Sequence, residues 1–241
     1  MHVSRRELFR YVAAGSAAWG AVNLGAKLPV AQADSGLGTL LDYAGGIPGA
    51  AEIADAGYLG VIRYVSDRQR GAEWMAGKPL RADEVESLTE QGLEIVSCYQ
   101  YGKGPTADWR GGYEAGVEHA SRGLELHLAA GGPENSPIDA SIDDNPTARD
   151  FDDMIEPFLR GWESIVGAAN TGVYANSPTI DRALDSGVGS WFWQHNWGTP
   201  KGYVHPDAVL HQFEIDKRRV DGVGVDLNAI LASDHGQWSL A

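Results

Sequence analysis

Carboxylates stand at the ends of apolar, β-rich runs throughout this chain. Asp42 closes Thr39-Leu40-Leu41-Asp42, and Asp143 and Asp144 follow Ile138–Ile142 in Ser141-Ile142-Asp143-Asp144-Asn145-Pro146. Glu214 and Asp216 follow Val209–Phe213, and Asp226 closes Val223-Gly224-Val225-Asp226. Aromatics gather near run ends as well: Tyr64, Tyr99, Tyr101, Trp191, Trp193 and Trp197, in a chain with 8 Trp. Acids beside flat aromatic faces are the chemistry of sugar binding and glycoside cleavage. One protonated carboxyl assists the leaving oxygen, and a second group stabilises positive charge at the anomeric carbon. Taken singly, each acid is equally at home as a turn residue or helix cap, and each aromatic as core. The set Asp42, Asp143 and Asp226 carries the argument.

Other chemistries find less support. His195 and His211 lie near run ends with Asp216 and Asp226 at hand, but the spacing matches no zinc pattern. There is no G-x-S-x-G nucleophile elbow and no phosphate-binding loop. Neither a metal nor a cofactor is expected. Cys98, the only cysteine, sits in the apolar run Ile95-Val96-Ser97-Cys98-Tyr99, which reads as a buried structural thiol.

What must position these acids is an alternation of strand and helix. Eight runs read as strands: 39–42, 59–65, 93–99, 138–142, 172–175, 191–194, 209–213 and 223–226. Helical spacing of apolar residues covers 82–91, 112–130 and 151–166. Such alternation predicts parallel strands and an α/β fold. Eight strands predict a (β/α)8 TIM-like barrel, whose strand ends converge on one face. The links around strands six to eight are short, so helices there are expected to be degraded. An open doubly wound sheet is the alternative, weakened by the absence of G-x-G-x-x-G after the first run.

The N-terminus reads as an address. Arg5-Arg6 precede Leu8 and Phe9, a weakly apolar stretch spans 11–25, and Ala31-Gln32-Ala33 presents a small-residue cleavage site. Residues 1–33 are therefore expected to be a twin-arginine signal peptide, and 34–241 the barrel domain. The apolar stretch is shorter than the roughly 20 residues that span a bilayer, so no permanent membrane anchor is expected. The leader holds four basic residues and one acidic one. The remainder then carries 15 basic and 32 acidic residues, a formal charge of −17. That excess repels phosphate backbones, so no nucleic acid partner is expected. The twin-arginine translocase is the partner expected during export.

The chain resembles the actinobacterial family of exported glycoside-hydrolase-like proteins, a domain of unknown function. The resemblance is carried by Leu40-Leu41-Asp42-Tyr43, Gly60-Val61-Ile62-Arg63-Tyr64, Ser97-Cys98-Tyr99-Gln100-Tyr101-Gly102, Ser141-Ile142-Asp143-Asp144-Asn145, Gly172-Val173-Tyr174-Ala175-Asn176 and Trp193-Gln194-His195. It implies a TIM-like barrel, similar in layout to glycoside hydrolase family 25 lysozymes, which cut peptidoglycan. Asp42 is similar to the acid closing their first strand, Asp143 to the first acid of their Asp-x-Glu pair, and Asp226 to their last-strand Asp-x-Asn. His211-Gln212-Phe213 resembles their Trp-Gln-Tyr strand. The Glu that serves them as general acid is replaced here by Asn145, which cannot donate a proton in that way. The catalytic set so implied is Asp42, Asp143, Glu214 and Asp226, with Asp143 or Glu214 as the acid. Arg63, Tyr64, Tyr99, Tyr101, Asn145, Tyr174, Trp193 and Gln212 are expected to bind a cell-wall polysaccharide or other glycan. A carbohydrate-binding protein without turnover and a structural wall protein are the competing readings, since a barrel hosts many functions.

Overall fold

Every one of the eight apolar runs forms a strand: β1 (Thr39–Asp42), β2 (Gly60–Tyr64), β3 (Glu94–Tyr99), β4 (Ile138–Ser141), β5 (Thr171–Ala175), β6 (Trp191–His195), β7 (Leu210–Val220) and β8 (Val223–Ile230). They close into a barrel in chain order. The structure, a computed structural model, describes residues 36–240. The signal peptide expected over 1–33 lies outside the described residues. Among the described residues no helix is long and apolar enough to cross a membrane.

Strands β1 to β7 run parallel, but β8 is antiparallel to both of its neighbours, β7 and β1. The expected closure of eight strands is present, and a regular (β/α)8 repeat is not. The cause is local. After Val220 the chain turns through Asp221 and Gly222, with φ of 49° and 75°. Two successive positive φ angles make the tight hairpin that matches strand twist. A parallel return needs a crossover of a dozen or more residues. Between β6 and β7 the connection also contains no helix.

The helices lie on the links between β1 and β6. They are α1 (Ala50–Asp55), α2 (Ala82–Glu90), α3 (Gly112–Ala129), the single turn α4 (Ala148–Asp150), α5 (Glu156–Val166) and α6 (Ser177–Ser186). A π-helical turn, Phe151–Ile155, joins α4 to α5. The expected helices at 82–91, 112–130 and 151–166 correspond to α2, α3 and the α4–α5 segment. Sequence periodicity misses α1 and α6. For α6 the end signals are nevertheless legible: Asn176 caps Thr179 N–H, Pro178 lies in the first turn, and Gly187 ends it in the left-handed region at φ 63°.

Alternation along the strands sorts residues into two layers. Leu40, Ile62, Val96, Cys98, Tyr174, Trp193, Leu210 and Ile230 pack together inside the barrel. Their strand neighbours, among them Leu41, Val61, Ile95 and Val173, join Phe158, Leu159 and Trp162 of α5 in the outer core. Both faces are buried, so each strand reads as a continuous apolar run. The backbones of α3 and α5 touch, because a Cβ at Gly116 would overlap the Phe158 carbonyl and one at Gly161 the Tyr113 carbonyl. The carboxyl-terminal segment closes the layer, with Trp238 pairing its backbone with Ile95 and donating its indole N–H to Ser97 Oγ at 3.0 Å.

Gly161→Ala is expected to lower the unfolding free energy by about 1–3 kcal/mol through overpacking of α3 on α5. The urea midpoint reads this, and an unshifted midpoint would mean that the two helices do not meet there.

Candidate functional site

The mouth of the barrel is the end at which β1 to β7 finish. Strand β8, though antiparallel, contributes to the same end, because its register sets Asp226 opposite Asp42 and Asn228 opposite Leu40. Directly opposed residues on neighbouring strands share a face. Asp42 and Asp226 therefore both project into the mouth.

Asp42 is the most tightly held group. Its Oδ2 accepts from Gln212 Nε2 at 2.9 Å and from Asn228 Nδ2 at 2.8 Å. The two amides are themselves oriented. Tyr174 donates its hydroxyl to Gln212 Oε1 at 2.6 Å, and Trp193 donates its indole N–H to Asn228 Oδ1 at 2.9 Å. An indole N–H only donates, so Asn228 must turn its oxygen to Trp193 and its NH2 to Asp42. Burial pushes the Asp42 carboxyl above its ordinary value, against the two amide donors that favour the ionised form. Asp226 has a single donor, the backbone N–H of Asp216 at 2.8 Å. Burial first, and then the charge of Asp42, push it up to about 8.

Asp143 enters from β4's end. Its Oδ2 accepts from Gln100 Nε2 at 3.0 Å and from Lys103 Nζ at 2.6 Å. Arg110 stands 3.5 Å from Asp144. Asn145, in the general-acid place of the lysozyme pattern, accepts from Asn176 Nδ2 at 3.0 Å. Gly198 (φ 80°) lies against that pair, where a Cβ would overlap Asn145 Oδ1.

Two groups at the mouth escaped the sequence reading. Lys78 is buried, donates to the Gln100 carbonyl at 2.7 Å and lies 4.0 Å over the Tyr64 ring. Burial lowers its amine to about 8. No periodicity marks it, since it comes from the irregular β2–α2 link. His195 was weighed only as a metal ligand. It packs 4.8 Å from the Tyr174 ring, its Nε2 meets the Ile142 carbonyl at 3.3 Å, and its buried Nδ1 has no partner. Burial keeps its pKa low. His211 instead bonds Asn196 Oδ1 at 2.9 Å. Among the described residues no three His, Cys, Asp or Glu side chains form a metal-holding group.

Of the expected site residues, Asp42, Asp143, Asp226, Tyr64, Tyr174, Trp193, Gln212 and Asn145 come together at or beneath the mouth. Four do not join the interior. Arg63 points outward, where Glu84 of α2 takes it at 2.6 and 3.1 Å and the Tyr43 and Gly77 carbonyls at 2.9 and 2.6 Å. Burial with four hydrogen bonds on its five N–H groups makes it a structural guanidinium. Tyr99 also turns outward, its hydroxyl 2.9 Å from His119 Nδ1 and its ring edge-on to Trp162. Tyr101 stays at the surface beside His119. Glu214 is displaced by a bulge: the register jumps between Gln212 and Glu214, so that Glu214 opposes the outward-facing Leu227. There Arg218 binds it at 2.6 Å. A single extra residue moves a side chain to the opposite face. Trp191 opens β6 and so lies at the far end of the barrel, its indole N–H on the Ala169 carbonyl at 2.8 Å.

Comparison with known proteins shows the family and the fold. Residues 51–230 match the family described as Rv2525c-like, glycoside hydrolase-like domain. The "Putative peptidoglycan hydrolase Rv2525c" of Mycobacterium tuberculosis is 58% identical over 240 residues, covering 99% of this chain and 100% of that protein. The crystal structure of the M. tuberculosis Tat-secreted protein Rv2525c in complex with L-tartrate matches with a TM-score of 0.83 at 62% identity, over 84% of this chain and 100% of that one. The bacterial lysozyme from Streptomyces coelicolor matches at a TM-score of 0.54 and 14% identity, over 81% and 93% of the two chains, a likeness of fold alone.

Removing one partner of the Arg63–Glu84 pair strands a buried charge, so Glu84→Ala is expected to cost about 3–5 kcal/mol. A chemical denaturation curve within 1 kcal/mol of the wild type, about the scale of an exposed pair, would contradict the burial argument. The raised Asp226 carboxyl has a pH signature. An unfolded carboxyl ionises near 3.8, whereas the folded one keeps its proton to about 8. Its contribution to stability is therefore complete below the lower value and is lost as pH rises to the upper one. Asp226→Asn cannot ionise, so its melting temperature should exceed that of the wild type by a gap that widens from about pH 4 to about pH 8. A gap that stays constant would show that Asp226 titrates normally.

Proposed function

The chain belongs to the Rv2525c-like, glycoside hydrolase-like domain family, and from that membership we propose that it is an exported protein whose barrel mouth binds a peptidoglycan-like cell-wall glycan and cleaves it by carboxylate acid/base hydrolysis. The observation that carries the reading is the pair Asp42–Asp226, opposed across β1 and β8 in the mouth. Opposed residues have Cβ atoms about 4.5–5.5 Å apart, in keeping with the roughly 5–5.5 Å carboxyl separation of retaining glycosidases. The two carboxyls differ in environment. Asp42 receives two amide donors that favour its ionised form, and Asp226, pushed up to about 8, holds the proton.

In this reading Asp226 gives its proton to the glycosidic oxygen as that bond breaks. The free Asp42 oxygen faces the anomeric carbon, stabilising the oxocarbenium-like state and forming the glycosyl ester. Water then attacks that ester while the Asp226 carboxylate takes its proton back. Asp143, bonded by Gln100 and Lys103 to the same oxygen, is engaged as an acceptor and suits the holding of sugar hydroxyls. This moves the acid from Asp143 or Glu214 to Asp226, because Glu214 sits outward with Arg218.

The twin-arginine pattern before Asp34, together with the Tat-secreted description of the mycobacterial relative, supports export by the twin-arginine translocase of a domain spanning 34–241. The relative named for peptidoglycan hydrolysis supports a cell-wall glycan as ligand. A second reading, glycan binding without turnover, draws on Asn145, whose amide is tied to Asn176 where the lysozymes carry an acid.

Purified protein incubated with peptidoglycan is expected to release reducing ends, at a rate that falls as pH rises through about 8 with the loss of the Asp226 proton. Asp226→Asn should slow release by about 10²–10⁴-fold. Wild-type protein that binds the sacculus and releases nothing at any pH would remove hydrolysis and leave the binding reading.

A further inference from the structure

We propose that Trp197 and Lys103 form an additional sugar subsite at the edge of the mouth, selective for a pyranose that carries a carboxylate. The proposal rests on the glycan-binding reading above. Trp197 follows β6, is 53% exposed as a residue, and among the described residues it packs on no other aromatic ring. Lys103, from the link after β3, sets its ammonium 5.7 Å from the Trp197 ring centre and 2.6 Å from Asp143 Oδ2. One ammonium thus stands over the Trp197 indole and reaches a carboxylate of the mouth. The ring centre lies no further from Asp143 than those two distances together, within the reach of a disaccharide seated in the mouth.

The platform is held in place. Gly198, next to Trp197, packs against Asn145 and Asn176, an approach only a glycine allows at φ 80°. Thr199 donates to the His195 carbonyl at 2.7 Å and receives the Ser177 N–H at 3.0 Å. A tryptophan fixed at its backbone and half-exposed offers a flat apolar surface to the C–H face of a sugar, beside the ammonium that stands over the ring.

Charge sets the selectivity. The mouth carries Asp42, Asp143 and Asp144, which repel an acidic sugar. Arg110, the other cation of the same link, is turned to Asp144 at 3.5 Å. Lys103 is therefore the cation of that link turned to the tryptophan, and its side chain is 59% exposed. An ammonium has three donors. Asp143 takes one, and among the described residues the ammonium has no second hydrogen-bond partner, so an incoming carboxylate can accept from it without displacing Asp143. A neutral sugar stacked on Trp197 leaves those donors to water.

The test compares two probes that share one backbone. Peptide-free peptidoglycan glycan strands carry the lactyl carboxylate, and chitin oligosaccharides of equal length do not. Calorimetric titration of the wild type should favour the acidic strands by about tenfold, the scale of one charge-assisted hydrogen bond. Lys103→Gln should bring that ratio to within about twofold, and Trp197→Ala should weaken both probes. Equal wild-type affinity for the two probes, or a preference that survives in Lys103→Gln, overturns the subsite. If the wild type binds neither probe, the glycan reading falls and the subsite falls with it. That outcome is distinct from binding without preference, which overturns the subsite alone.

Discussion

Placing the Asp42 carboxylate in the throat of the barrel constrains nearly everything around it. A buried anion needs donors, and here they come from Gln212 on β7 and Asn228 on β8, each amide locked in turn by Tyr174 on β5 and Trp193 on β6. Five strands are thereby tied through one oxygen atom. Each amide is engaged at both ends, and its orientation follows from the indole N–H and the phenol that it must accept. Such a network is rigid because rotating any member leaves a buried polar group unmatched.

The closing strand makes this arrangement available. Had β8 returned in parallel, its carboxyl end would have met the mouth. With the tight turn at Asp221–Gly222, the residues facing Asp42 come from the middle of the strand, and the pair Asp226 and Asn228 serves at two depths. One donates a hydrogen bond below, while the other stands beside Asp42, where burial and the neighbouring carboxylate raise its pKa. The antiparallel closure is thus a chemical feature as much as a topological one, since it sets two carboxyls side by side on adjacent strands.

Outside the barrel, similar physics serves stability. The Arg63 guanidinium, aimed away from the mouth, satisfies its donors on Glu84 and two carbonyls and fastens β2 to α2 and to the link that carries Lys78. That link delivers Lys78 onto Tyr64 and the Gln100 carbonyl, and Gln100 in turn holds Asp143. An ion pair on the outer face and an acid on the inner face are joined through a short stretch of irregular chain.

The eight strands were legible because a barrel strand is buried on both faces and so reads as an unbroken apolar run. Asp42, Asp143 and Asp226 were legible as candidates because each borders an apolar run, although turns and helix caps favour the same residue type. Helices α1 and α6 were not, being too short for an apolar period, although Asn176 and Gly187 marked the ends of α6. Side-chain direction was the larger gap. Arg63 and Tyr99 sit one residue from inward-facing positions, and a strand's period of two makes that the difference between mouth and outer core. Glu214 counts as inward by simple alternation, and the bulge after Gln212 turns it out. The linear chain therefore determined which runs become strands and which acids border them, while β7 and β8 extend past the apolar runs to Val220 and Ile230. Tertiary structure alone decided which acids meet, because strand direction, bulges and the burial that raises Asp226 depend on neighbours far away in sequence.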